Sequence, residues 1–84
     1  MYWIFTFPTT HLAIKFEQVA KKEKCSVQLT SLPRKISSSC GYCGKVTNFE
    51  ELDKLMEVCD RYGIQFEHIY EIPDDTKEEP ILYK

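Results

Sequence analysis

Apolar residues change spacing along this chain in a rhythm that leaves few folds open. Residues 2–7 alternate bulky β-formers with period two, which reads as a buried first strand. Pro8 ends it, because proline cannot donate to a central ladder. Thr9 or Thr10 then caps a helix over about residues 10–23, with Leu12, Phe16, Val19 and Ala20 on one face and Lys21, Lys22 and Lys24 crowding its negative end. Ser26 to Leu32 returns to alternation as a second strand, closed by Pro33. Residues 40–46 read as a turn or as a short strand weakened by two glycines. Thr47-Asn48-Phe49-Glu50 matches a capping box, and Leu52, Leu55, Met56, Cys59 and Tyr62 form a helical stripe that stops at Gly63. Ile64 to Ile72 is the last strand, with Ile64, Phe66, His68, Tyr70 and Ile72 on one face and Glu67, Ile69 and Glu71 on the other.

The order strand, helix, strand, strand, helix, strand predicts an α+β fold. Its simplest packing is the ferredoxin-like βαββαβ arrangement, a four-stranded antiparallel sheet with two helices on one face. The 84 residues hold one core. We place the domain at residues 1–72. Residues 73–84 are a charged C-terminal tail, expected to be mobile, in which only Ile81, Leu82 and Tyr83 have anything to dock.

Composition narrows the function classes. A hydrophobic fraction of 43% and a charged fraction of 29% argue against disorder. Net charge is −2, so no basic surplus exists to neutralise phosphates and nucleic acid is not the expected partner. No apolar run is long enough to span a membrane, and Met1–Phe7 lacks the basic start and small-residue cleavage site of a signal peptide. A cytoplasmic location is therefore expected, where thiols stay reduced. Four cysteines there suggest thiol chemistry, metal binding or packing before a disulfide framework.

Cys40 is the leading candidate for a reactive group. Arg34 and Lys35 precede it in the same loop and can stabilise a thiolate. Ser37, Ser38 and Ser39 offer hydroxyls and backbone N–H groups, and Gly41 removes steric cover. Against this stands the reading of a serine linker with a small residue at a turn. Cys40 and Cys43 also form a C-x-x-C pair, with Cys43 as a possible second thiol. If the segment is extended, their Cα atoms lie roughly 10 Å apart, beyond disulfide reach. If Gly41-Tyr42 turns, the pair can close. For zinc, only Cys25, Cys59, His11 and His68 could join the pair. Cys25, Cys59 and His68 read as packed and His11 as solvated, so no metal and no cofactor is expected.

The opening Phe5-Thr6-Phe7-x-x-Thr10-His11-x-Ala13, then Glu17, and above all Pro33-Arg34-x-Ile36-Ser37-Ser38-Ser39-Cys40-Gly41 carry a resemblance. The chain resembles a small bacterial and archaeal family of selenium/sulfur carrier-like proteins over roughly residues 2–72. The resemblance implies a carrier that holds sulfur or selenium on Cys40 as a persulfide or selenopersulfide. It would take the atom from a donor protein such as a cysteine desulfurase and pass it to an acceptor, without being an independent enzyme. Cys43 and Gly44 depart from the apolar strand residues expected there. That departure keeps a second reading open, a binding or regulatory module with a redox-sensitive Cys40–Cys43 pair.

Overall fold

The computed structural model describes residues 1–33, 36, 41–73 and 79–83. Its elements are β1 (Tyr2–Thr6), α1 (Thr10–Lys22), β2 (Val27–Ser31), β3 (Tyr42–Val46), α2 (Glu50–Tyr62), β4 (His68–Ile72) and β5 (Ile81–Leu82). Helix α1 starts where expected: Thr9 is extended and its Oγ1 accepts from the Leu12 N–H at 3.2 Å. Lys24 takes the left-handed conformation (φ 61°) that turns the chain toward β2, and the Cys25 N–H closes back on the Ala20 carbonyl at 2.8 Å. Helix α2 begins later than a Thr47 cap implies. Phe49 stands at the N-cap and makes no side-chain cap bond, while the Asn48 Oδ1 just before it accepts from the Glu50 N–H at 3.0 Å. Gly63 (φ 69°) ends α2 as its sequence position suggests.

All strand pairs are antiparallel, in the order β2-β3-β1-β4-β5. The sheet thus has five strands, not the expected four. The fifth pairs Ile81 with Glu71 and Leu82 with Tyr70 at the β4 edge. A two-residue strand has no periodicity of its own to read, so only its long-range pairing reveals it. At the opposite edge, Glu17 of α1 accepts from the outward-facing Leu29 N–H of β2 at 3.1 Å through its carboxylate. That contact satisfies an edge group otherwise open to a sixth strand.

The alternation of β1 divides the molecule into two apolar regions. Trp3 and Phe5 face both helices and join the main core with Phe7, Phe16, Val19, Leu52, Leu55, Val58, Ile64 and Ile69. Phe16 is its centre, with its ring centroid 4.9 Å from that of Phe5 and 5.0 Å from that of Phe7. Gly44 makes room for it: a Cβ there would stand 2.5 Å from Phe16 Cε2. Ile4 faces the other way, into a small cluster with Cys43 and Ile36.

The last strand corrects the expected faces. Residues 64–67 are not in the ladder, and Ile64 and Phe66 reach the main core from irregular backbone. Pairing proper begins at His68, after the Glu67 N–H bonds the Thr6 carbonyl at 2.6 Å. Parity cannot be carried across a segment without pleat. Ile69 is therefore the fully buried residue, and His68, expected to be packed, is exposed.

Candidate thiol site

The site grows from the β2–β3 hairpin. Its ladder ends with Ser31 opposite Tyr42, and the Leu32 N–H donates to the Gly41 carbonyl at 3.0 Å. Between those closures runs the segment that holds most of the sequence-derived site. Arg34, Lys35, Ser37, Ser38, Ser39 and Cys40 lie outside the described residues; Pro33, Ile36 and Gly41 are described. The Ile36 N–H donates to the Pro33 carbonyl at 3.1 Å. The Ile36 side chain is buried, at 7% exposure. Gly41 is exposed, and a Cβ there would meet nothing within 4 Å. Packing does not demand glycine at this position, so the backbone beside Cys40 in the chain is left uncovered.

The other three cysteines are thiols, and all are buried. Cys59 is 2% exposed in the main core, and burial pushes its thiol up to about 12. Cys25 is 6% exposed. Burial raises its pKa most, Lys54 opposes the shift, and the carboxylates of Glu51 and Glu23 add to it. Neither is poised to form a thiolate at neutral pH. Cys43 is fully buried in β3, opposite Thr6 and Thr30, on the face away from the helices. Its Sγ donates to the Ser31 carbonyl at 3.8 Å.

Register places this hairpin end beside the C-terminal end of β1 and the start of β4. Thr6 pairs with both Cys43 and His68, and its Oγ1 accepts from the His68 N–H at 3.0 Å. Among the described residues no three His, Cys, Asp or Glu side chains are grouped to hold a metal ion. No helix there is long and apolar enough to cross a membrane.

A family model described as Putative Se/S carrier protein-like matches residues 2–71. The chain belongs to this family. No curated protein and no solved structure matches it. The family match runs from β1 into β4, so the hairpin and its loop lie inside it and β5 lies beyond. A carrier-like family implies a donor protein and an acceptor protein. Ile36 is the residue that sequence reasoning passed over as an anchor. Its signal was an isolated aliphatic side chain between two cations and three serines, in a loop otherwise fit for solvent.

Proposed function

We propose that Cys40 carries one sulfur or selenium atom, as a persulfide or selenopersulfide, from a donor protein to an acceptor. The observation that carries this reading is the sequestration of every other thiol within a chain of the carrier-like family. Cys25, Cys43 and Cys59 are all buried, and Cys40 is the cysteine that remains. The first transfer needs no oxidant. The Cys40 thiolate attacks the terminal sulfur of a donor Cys–S–SH, the new S–S bond forms at Cys40, and the donor cysteine leaves as its thiolate. Arg34 and Lys35 favour the anion and steer an acidic partner surface. Ser37, Ser38 and Ser39 hydrogen-bond the anion, and Gly41 leaves the approach open. The chain acts as a cytoplasmic accessory to a cysteine desulfurase or a selenium donor, not as an independent enzyme. Its β2-β3-β1-β4 order supports a ferredoxin-like domain over residues 1–72, to which the charged tail adds an edge strand.

The test incubates the protein with a cysteine desulfurase and free cysteine, followed by intact mass measurement without reductant. A gain of one sulfur atom is expected, mapped to Cys40 and absent in Cys40→Ser. If several desulfurases and a selenium donor leave Cys40 unmodified while it still alkylates, the carrier reading fails. The redox-pair module then gains, favoured by one contact: Cys43 shares its cluster with Ile36 of the same loop. Quantitative formation of a Cys40–Cys43 disulfide under mild oxidation would establish that second reading.

A further inference from the structure

A group of exposed apolar side chains lies at the end of the sheet away from the β2–β3 hairpin. Phe49, where β3 leads into α2, is 55% exposed, and Ile81 and Tyr83 at the β5 edge are exposed with it. Ring contacts hold the group together: the Phe49 centroid is 5.2 Å from that of the buried Trp3, and Tyr83 meets Phe49 edge-on at 6.4 Å. Register adds Glu71, which stands between Trp3 of β1 and Ile81 of β5 on the same face. Contiguous apolar surface with aromatic rings marks a place of contact with another molecule.

Unsatisfied polar groups border this patch. The Trp3 indole N–H is buried and has no hydrogen-bond partner. Three carboxylates also stand without a partner among the described residues: Glu71, half-buried, and Glu50 and Asp53, exposed in the first turn of α2. Asp53 is four residues on from Phe49 and so lies on the same side of the helix. The nearby described cations are engaged elsewhere. Lys54 donates to the Glu23 carbonyl, Arg61 pairs with Glu23 and Glu57, and Lys45 sits over the Tyr2 ring on the sheet face away from the helices. Unpaired negative charge beside exposed rings suits a guanidinium, which stacks on an aromatic face and forks to a carboxylate. The same charge disfavours a second copy of this chain, whose patch would bring like charges to the contact.

We propose that Phe49, Glu71, Ile81 and Tyr83 form a docking surface for a partner-protein segment that carries arginine between apolar side chains. The apolar side chains of the segment cover the exposed rings and Ile81. Its guanidinium groups pair with Glu71, Glu50 and Asp53. Arginine and aromatic contacts of this kind dominate the binding energy of small interfaces. The proposal uses no thiol and stands apart from the carrier reading.

Trp3 is the sole tryptophan of the chain, so its emission reports on the patch directly. The experiment titrates the full-length protein with the peptide acetyl-Leu-Arg-Leu-Arg-Leu-amide, and with versions carrying glutamine or glutamate in place of arginine. The arginine peptide should shift Trp3 emission saturably, about tenfold or more tighter than the glutamine peptide, and the glutamate peptide should give no shift. Phe49→Ala and Glu71→Gln should each weaken the arginine peptide by about tenfold. Ile14→Ala, at an exposed aliphatic side chain of α1, should leave its binding unchanged. Absence of a saturable shift overturns the proposal, as does an equal response to the arginine and glutamine peptides. Wild-type binding in Glu71→Gln overturns it too, and so does an equal loss in Ile14→Ala. A dimer seen by sedimentation and broken by Phe49→Ala would give the patch to a second copy and overturn it as well. Should Phe49→Ala fail to fold, Glu71→Gln decides alone, because it removes the charge and keeps the shape.

Discussion

The two faces of the sheet are held in different ways. On the helix side, the Phe5 and Phe7 rings meet that of Phe16, which packs over Gly44, and side chains from both helices, β1 and β4 join the same core. On the other side, two buried strand residues and a single loop isoleucine make a cluster rimmed by half-exposed Tyr2, Tyr70 and Ile72. The first carries the stability of the domain. The second includes Ile36, from the segment between β2 and β3. A small domain has little apolar surface to divide. Most of it lies on one face here, and the other keeps a small cluster.

The sharpest way to break this contrast is to weaken each side in turn. Phe16→Ala should cost about 3–5 kcal/mol, because it removes the ring that Phe5 and Phe7 pack on. Ile36→Ala should cost no more than about 2 kcal/mol, since an edge-open cluster can collapse into the space. Both are read by urea unfolding, and equal losses would show that the two clusters act as one core. Next, Gly44→Ala should lose about 1–3 kcal/mol by forcing Phe16 aside. A neutral result would mean that the ring has slack and the main core is less tightly packed than its distances indicate.

Alkaline stability sharpens the contrast chemically. The Cys59 thiol rises from 9.0 to about 12 on burial. Between those values the unfolded chain releases a proton that the folded chain keeps. The Cys59 contribution is therefore complete below pH 9 and lost as pH rises toward 12, by about 1.4 kcal/mol per pH unit at most. Urea midpoints across that window should fall more steeply for the wild type than for Cys59→Ala. Parallel curves would mean that water reaches the thiol. The smallest effect is expected at the C-terminal edge. Ile81 and Leu82 are 51% and 57% exposed, so ending the chain after Ile72 should cost about 1 kcal/mol or less. A larger drop in melting temperature would assign the Tyr83–Phe49 ring contact at 6.4 Å a real share of the stability.

Much of the fold was legible because its signals are local. Thr9, the stripe from Leu12 to Ala20, and Gly63 act within a turn or two of chain, and each stands where its residue type predicts. The misreadings share one cause. Helix α2 starts at Glu50, with Asn48 rather than Thr47 bonding its first N–H, and residues 64–67 break the pleat so that Ile69 rather than His68 turns inward. At both places the chain before the element is irregular, and a period cannot be extrapolated through it. For the site, the sequence supplied the residue types around Cys40, and the structure supplied Ile36 and the buried state of the other three thiols.

The sequence by itself determined two helices and the strands β1, β2 and β4, and left residues 40–46 as a turn or a short strand, because spacing, caps and breakers act between residues close in the chain. Only the tertiary structure decided the strand order, the added β5 edge, the plug of Glu17 on β2, and the burial of Cys43 in one cluster with Ile4 and Ile36. Those depend on which strand lies beside which and on what covers each face. Contacts of that kind join residues far apart in sequence, and no local period encodes them.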